Sequence, residues 1–263
     1  MHIPQDPRRG DALSAWLDTP PGRYLLEWEQ AQLDRVCADL FGFHALQFGL
    51  PQLDALRANR MPHRWLATEG DGEGVLQADP EALPFAERSI DLVVLPHTLE
   101  LARDPHRTLA EVERVLVPEG RVVILGFNPA SWWGLRQRAG RLRRRLGGKG
   151  ELFLPRQGEF IGYWRLRDWL RLLSFEVEGG RFGAYRPAIG SERWLERFAW
   201  MDRIGDRWWP VLGAVYMLVA VKRVRGMRLV GLAKRERVQA ATAPTVVANS
   251  RQRRQSDVGE TVS

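Results

Sequence analysis

The sequence predicts an α/β protein built on a doubly wound, mostly parallel sheet of seven strands. Short apolar runs alternate with helical patterns between residues 44 and 127. The run IDLVVLP at 90–96 is continuously apolar, as expected of a strand that is buried on both faces. Two further strand patterns follow at 175–183 and 213–224. Because strand and helix alternate, a parallel sheet with helices on both faces is expected.

The elements before residue 80 are short. Apolar residues recur at helical spacing from 23 to 41, after Pro20-Pro21-Gly22, so a helix is predicted there. The segments that follow are interpreted as a strand at 44–48, a short helix at 52–60, a strand at 63–67, a Gly/acid turn at 68–74 and a strand at 75–78.

The most clearly marked helix begins after Asp104. This residue suits an N-cap and Pro105 suits the first helical position, while Pro118-Glu119-Gly120 predicts the end of the element. A strand at 121–127 and a helix at 163–175 follow, and a Trp-rich helical insertion separates the two last strands.

Composition and charge limit the functional classes. The 263 residues carry a net charge of +7, and residues 131–150 alone hold six arginines and a lysine without an acid. The single Cys37 cannot form an intramolecular disulfide, and no Cys/His cluster has metal-ligand spacing, so we expect no metal. The N-terminus lacks the apolar run of a secretory signal, and the apolar stretch at 211–221 is too short to span a bilayer, so a cytoplasmic protein is expected.

The expected organisation is an extension at 1–22, one domain at 23–230 with helical insertions at about 131–160 and 184–210, and a disordered basic tail at 231–263.

Residues 76–127 resemble the type 11 family of class I S-adenosylmethionine-dependent methyltransferases, which includes ubiquinone and menaquinone methyltransferases. The pieces that match in order are Asp79, Leu83-Pro84-Phe85, Ser89-Ile90-Asp91, Leu99, Asp104, Glu111, Arg114-Val115-Leu116 and Pro118-Glu119-Gly120. The resemblance implies a Rossmann-like sheet that ends in an antiparallel strand pair, with S-adenosylmethionine as cofactor.

The resemblance also implies site residues. Asp79 would accept a hydrogen bond from the adenine amine, and Leu83 would line the adenine. Leu95, Pro96 and His97 would face the sulfonium and the methyl acceptor. A neutral His97 would be the catalytic base, since its ordinary pKa lies near neutral pH. The alternative is a histidine that is hydrogen-bonded at a strand end.

The loop after the first strand departs from the family pattern. The family has an acid and several glycines there, whereas this chain has Gln47-Phe48-Gly49-Leu50-Pro51. Gln47, Phe48 and Gly49 are the candidates for contact with the amino-acid end of the cofactor. The helix between the second and third strands is replaced by a short turn, in which Glu69 and Asp71 are candidate ligands of the ribose, with solvated loop acids as the alternative.

Three functions remain open. The leading hypothesis is methyl transfer to a small molecule. The eroded glycine loop favours a non-catalytic module that keeps the fold, since function resides in sites and not in folds. The Arg-rich segment at 136–149 favours a nucleic-acid methyltransferase, although such a run is also typical of a solvated helix or a lid. Trp208 and Trp209 beside the apolar stretch suggest, as a variant, a peripheral contact with anionic lipid.

Overall fold

The computed structural model describes residues 8–69, 76–147, 152–155 and 158–223. Its strands are β1 (His44–Phe48), β2 (His63–Thr68), β3 (Leu76–Gln77), β4 (Ile90–Pro96), β5 (Leu116–Phe127), β6 (Phe175–Gly183) and β7 (Val215–Lys222). They form one sheet in the order β3-β2-β1-β4-β5-β7-β6. The first five strands are parallel, and β7 runs antiparallel to both β5 and β6. The predicted fold class is thereby confirmed.

The helices flank this sheet. They are α1 (Arg8–Leu17), α2 (Pro20–Ala38), α3 (Thr98–Leu101), α4 (Pro105–Val115), α5 (Trp132–Arg145), α6 (Tyr163–Leu172), α7 (Glu192–Arg197) and α8 (Trp200–Trp208), with a 3₁₀ turn at Pro210–Leu212. Sequence analysis missed α1, because its segment RRGDALSAWL contains few apolar residues. The tail at 231–263 and Asp71 lie outside the described residues, as do parts of the 131–160 insertion.

The helix predicted at 52–60 is wrong, since this segment forms a series of turns. The N–H groups of Leu53, Arg57 and Asn59 each bond to the carbonyl three residues earlier. The Ala55 N–H instead bonds to the side chain of Gln47, 2.9 Å away. The backbone is therefore held by a strand residue and does not continue into helical bonding.

The sheet is buried on both faces, as the apolar run at 90–96 predicts. Leu92 and Val94 of β4 belong to the cluster that includes Leu25 and Leu33 of α2. Val93 and Leu95 of the same strand belong to the opposite cluster, which includes Leu109 and Val112 of α4. This alternation fixes α2 on one face of the sheet and α4 on the other.

Several residues of the family pattern hold this scaffold together. Arg114 of α4 donates to the carbonyl oxygens of Leu83 and Phe85, at 3.1 and 3.0 Å, and pairs with Glu111. The carboxylate of Asp91 accepts the N–H groups of Phe43 and His44, each at 2.9 Å.

Asp104 caps α4, as predicted, by accepting the N–H groups of His106 and Arg107. The pattern at 76–127 thus includes interactions that stabilise the folded chain.

Candidate functional site

The candidate site lies at the carboxyl ends of the parallel strands. β1 and β4 are neighbours there, with β2 and β3 on one side and β5 on the other. The strand order therefore reverses between β1 and β4. In open α/β sheets this topological switch point is where ligands bind.

Gly49 makes the turn that leaves β1. Its φ of +81° lies in the left-handed region that favours glycine, and an added Cβ would lie 3.3 Å from Oγ1 of Thr98. The Thr98 hydroxyl donates to the Phe48 carbonyl at 2.6 Å, and the Gly49 N–H donates to the carbonyl of Ala67 at 2.7 Å. The turn is therefore tied to the end of β2 and to the start of α3, and its left-handed backbone would be strained by any larger residue.

Gln47 occupies the position of the family's acid, and its amide is turned into its own loop. Nε2 donates to the carbonyl oxygens of Gly49, Leu50 and Leu53 at 3.2, 3.1 and 2.6 Å, while Oε1 accepts the N–H of Ala55. A carboxylate could not make these bonds, because it has no hydrogen to donate. The glutamine thus fixes the loop that several glycines shape in the family.

Thr68 ends β2, next to the Gly49 turn. Its Oγ1 is buried and has no hydrogen-bond partner among the described residues. A buried polar atom in this condition is costly, so it indicates a place for a polar ligand group or for water. Glu69 follows directly and is exposed. Glu69, which the resemblance suggests as a ribose ligand, thus directly follows β2, and sequence analysis did not single out the neighbouring Thr68 hydroxyl.

Asp79 follows β3 and is partly exposed. Its Oδ1 accepts the N–H of Glu81 at 2.9 Å, and its Oδ2 lies 3.4 Å from Nη2 of Arg103. Both side chains of this ion pair keep substantial contact with solvent, 34% for Asp79 and 42% for Arg103. The carboxylate therefore remains able to exchange its partner.

The apolar residues predicted for the site are buried in the core of the protein. Phe48, Leu83 and Leu95 are buried in the cluster on the α4 side of the sheet, together with Leu99. Pro96, the last residue of β4, is also buried. Their side chains belong to the core of the protein, which places the strand ends rigidly.

His97 is held between two carboxylates inside the protein. It is 0% exposed, its Nδ1 lies 2.9 Å from Oε2 of Glu100, and its Nε2 lies 2.7 Å from Oε1 of Glu29. The Glu100 carboxylate also accepts the N–H of Phe127. Glu29 belongs to α2, so this cluster joins that helix to the ends of β4 and β5.

This geometry favours a charged imidazole. Burial by itself lowers the pKa of His97, but attraction to Glu29 and Glu100 outweighs burial and raises the pKa to about 10. Burial raises the pKa of the Glu100 carboxyl, and the imidazole opposes this rise. A protonated, fully buried His97 does not suit the neutral base suggested by the sequence, because neither ring nitrogen is free to accept a proton.

Glu29 was missed by sequence analysis, although the sequence carries a signal for it. Leu25, Glu29 and Leu33 are spaced by four residues in α2, so a charged residue stands in the apolar stripe of the helix. A carboxylate in that position requires a buried partner. His97 is the residue that provides it.

A cavity of about 330 Å³ lies beside the site. Its lining includes Leu99 and Glu100 of α3, Arg103, and Gly158 and Glu159 from the segment before α6. The Glu159 N–H bonds to the Glu100 carbonyl at 3.1 Å, which fixes that wall against α3. Because Arg103 also faces Asp79, the cavity adjoins the strand-end site, and its volume suits a small molecule.

Neither a metal-binding cluster nor a membrane-spanning helix is found within the described ranges. Residues 8–69, 76–147, 152–155 and 158–223 contain no group of three or more His, Cys, Asp or Glu side chains arranged to hold a metal ion. In the same ranges, no helix combines the length and the apolar character needed to cross a bilayer.

The sheet order, the antiparallel last strand pair and the site at the switch point define a methyltransferase-type α/β protein. The methyltransferase domain family matches residues 52–124. The uncharacterized protein YafS of Escherichia coli K12 is 36% identical over 194 residues, which cover 68% of this chain and 78% of YafS. The chain belongs to the class I S-adenosylmethionine-dependent methyltransferase family.

Two other comparisons agree with this assignment. The ubiquinone/menaquinone biosynthesis C-methyltransferase UbiE of Hahella chejuensis is 41% identical over 59 residues, which cover 22% of this chain and 24% of UbiE. Among solved structures, the complex between the Haloferax volcanii Trm112 methyltransferase activator and a methyltransferase contains a similar chain. The TM-score is 0.53 at 16% identity, and the match covers 83% of this chain and 99% of that chain. This likeness concerns the fold.

Proposed function

We propose that the protein transfers a methyl group from S-adenosylmethionine to a small molecule. The observation that carries this proposal is the buried Thr68 hydroxyl, which has no partner within the described part of the chain. It lies beside a left-handed glycine at the switch point of a methyltransferase sheet. A bound ligand with hydroxyl groups would give this oxygen the hydrogen bond that it lacks.

The residues present fit the cofactor in kind. The Gly49 turn would receive its amino-acid end, because a missing Cβ allows close approach to the backbone. Thr68 and Glu69 would hold the ribose hydroxyls, and Asp79 would accept the adenine amine. An apolar floor would be supplied by Phe48, Leu83, Leu95 and Pro96.

Asp79 and Gln47 both have protein partners, and the cost of giving up these partners differs between the two residues. The Asp79–Arg103 pair is solvent-accessible, and such pairs contribute only about 0–1 kcal/mol, so Asp79 can turn to another donor cheaply. The Gln47 amide is buried and holds three carbonyl oxygens, so it stays in its loop. In this proposal Gln47 shapes the site without touching the ligand.

When bound, the cofactor would supply an electrophilic methyl group: the lone pair of a nucleophile bonds to the methyl carbon, and the carbon–sulfur bond breaks with its electrons left on sulfur. Such a reaction depends mainly on alignment. His97 acts here as a positioning residue, because its two carboxylate partners connect α2 to the strand ends at the site. Its ring nitrogens are engaged, so the proton of the acceptor leaves by another route.

The methyl acceptor would occupy the cavity beside α3. Arg103 provides a cation and Glu159 an anion in the lining, whereas Leu99 and Ala102 provide apolar surface. This mixture suits a small polar molecule with an apolar part. The cavity is therefore the support for a small-molecule acceptor in this proposal.

Transfer of a labelled methyl group tests the proposal. Wild-type protein, incubated with methyl-labelled S-adenosylmethionine and a small-molecule extract, is expected to release S-adenosylhomocysteine and to label one product. Gly49→Ala should lower this turnover at least about tenfold, because the new Cβ occupies the approach to the turn. Gly147→Ala is the matched control: Gly147 has the same φ of +81°, but no described atom lies within 4 Å of its added Cβ. Equal turnover in the two variants, or no transfer at all, would contradict the proposal.

A second candidate is a non-catalytic protein that keeps the fold as an interaction module. The Gln47 amide is turned into its own loop, and Asp79 is paired with Arg103. Both contacts favour this candidate, because the two side chains already bind groups of the protein. This candidate predicts that cofactor binds, if at all, without release of S-adenosylhomocysteine in any extract. Detectable turnover by the wild type that is lost in Gly49→Ala excludes it.

A further inference from the structure

Among the described residues, helix α5 packs against the protein through one face. Trp133, Gly134, Gln137 and Gly140 are its buried residues. The Trp133 indole donates to the carbonyl of Arg186 at 2.7 Å, and the Gln137 amide donates to the carbonyl of Leu154 at 3.0 Å. These contacts fix the rotation of the helix about its axis, so the opposite face is held towards solvent.

That opposite face is apolar. Trp132, Leu135, Ala139, Leu142 and Leu146 recur at intervals of three and four residues, so they form one stripe along the helix, which is called here the outer stripe. Its large side chains are exposed: 60% for Trp132, 47% for Leu135, 58% for Leu142 and 79% for Leu146. A soluble helix normally turns such a stripe towards the core, so the exposed stripe indicates a docking surface.

Arginines border the outer stripe on both sides. At about 100° per residue, Arg143 lies on one side of the stripe, and Arg138 and Arg145 lie on the other. All three are exposed. The segment 131–150 contains no acidic residue, so the field around the stripe is positive along the whole helix. An apolar stripe between two cationic borders matches a surface that is anionic outside and apolar beneath.

We propose that α5 docks on an anionic lipid surface, with the outer stripe among the lipid chains and the arginines at the headgroup phosphates. Amphipathic helices of this composition lie in the plane of the membrane interface. Long arginine side chains reach the headgroups while their stems cover apolar surface. Nucleic acid fits less well, since its phosphates would face the tryptophan and leucines of the stripe while the arginines stand at the margins. The proposal is independent of methyl transfer.

A second exposed apolar group adjoins the amino end of α5. Trp208 is 70% exposed, Trp209 52% and Val211 44%. The side chain of Asn128, which lies three residues before the Ser131 cap of α5, donates to the carbonyl of Val211 at 2.7 Å. Tryptophan favours membrane interfaces, where its ring is buried and its N–H stays hydrated. We therefore include this group in the proposed docking surface.

Flotation with vesicles tests the proposal. Full-length protein is expected to float with vesicles of phosphatidylcholine that contain phosphatidylglycerol, and to remain behind with vesicles of phosphatidylcholine alone. The double variant Leu135→Gln/Leu142→Gln should reduce the floated fraction at least about tenfold, because two apolar anchors are lost. Leu172→Gln is the matched control, since Leu172 is 83% exposed but belongs to α6. Far-UV circular dichroism confirms that the variants keep the fold.

The arginines are tested separately. Arg138→Gln/Arg145→Gln should weaken flotation with the anionic vesicles, whereas Arg165→Gln/Arg171→Gln on α6 should leave it unchanged. The proposal is overturned if the wild type does not float with anionic vesicles, or if the outer-stripe variant floats as well as the wild type. A third outcome would also overturn it. In this outcome the wild type binds an RNA oligonucleotide but does not float with vesicles, and the outer-stripe variant binds the same RNA equally well.

Discussion

The segment from β4 to β5 and the segment from β1 to β3 belong to the same sheet, but they relate to the family in opposite ways. In the first, the family's residues make the expected contacts: Arg114 ties α4 to the 83–85 loop and Asp104 caps α4. In the second, Gln47 stands in place of an acid and one glycine in place of several. The β4–β5 segment thus has the residues of the family pattern, whereas the loop after β1 is held by a different side chain, that of Gln47.

The difference between the two segments shows which residues a family pattern retains. A residue that closes several backbone hydrogen bonds is hard to replace, because each lost bond leaves a buried polar group unsatisfied. The loop after β1 obeys the same rule through Gln47, which satisfies three carbonyl oxygens and one N–H group. A loop that departs from its family pattern can therefore still be a fixed structure.

The largest predicted effect concerns the buried cluster that joins α2 to the ends of β4 and β5. His97→Gln should lower the free energy of unfolding by about 3–5 kcal/mol, because Glu29 and Glu100 lose the cation between them. Chemical denaturation measures this. His63→Gln, on an exposed residue of β2, should change stability by less than about 0.5 kcal/mol. Equal stability of the His97 variant and the wild type would show that the cluster does not join α2 to the sheet.

The same cluster predicts a pH dependence. The pKa of His97 rises from 6.5 to about 10 on folding, so the native state binds this proton more tightly than the unfolded state does. Its stabilisation is complete below about pH 6.5 and is lost as the pH rises towards 10. The unfolding free energy of the wild type should therefore fall over this range more steeply than that of His97→Gln. Parallel pH profiles would contradict the charged imidazole.

The next-largest effect on stability is expected from a change of Gln47 in the loop after β1. Gln47→Glu restores the family's acid, yet it should destabilise this protein by about 3 kcal/mol at pH 7, because a buried carboxylate would face the carbonyl oxygens of Gly49, Leu50 and Leu53. At pH 5 the loss should be smaller, since a protonated carboxyl can donate one bond. Gln52→Glu, in the same loop but exposed, should be nearly neutral. Tolerance of Gln47→Glu would mean that the amide does not hold the loop.

A smaller loss of stability is expected from a change of Arg114 in α4. Arg114→Gln should cost about 2 kcal/mol, because the carbonyl oxygens of Leu83 and Phe85 lose a charged donor. Arg107→Gln, on the same helix, should cost less than about 0.5 kcal/mol, because its side chain is 74% exposed. Thermal unfolding of the two variants in parallel measures the difference. If the two costs were equal, the pattern at 76–127 would have to be explained by ligand contacts instead.

Sequence reasoning succeeded where one local signal decides the structure. Strand patterns located β1, β4 and β6 to the residue, and the Asp104-Pro105 pair located the start of α4. It failed at 52–60, because the turns there are set by Gln47, a contact that is not visible as periodicity. It missed Glu29 and Thr68 as site residues, since their importance comes from strand ends that only the folded sheet brings together. Sequence analysis correctly singled out His97 as an unusual residue. Its protonation state and its burial, however, depend on Glu29 and Glu100, which lie beside it only in the folded protein.

The proposed function requires that the loop after β1 leaves a place for S-adenosylmethionine beside Thr68. Isothermal titration of the wild type with S-adenosylmethionine measures this directly, with Thr68→Val and the buried Thr108→Val of α4 as comparison variants. The account predicts saturable one-to-one binding that is weakened about fivefold or more in Thr68→Val and little changed in Thr108→Val. It also predicts that Thr68→Val loses no stability in the absence of ligand, because within the described residues its hydroxyl has no partner to lose. Absence of binding heat at millimolar S-adenosylmethionine would contradict the proposed function.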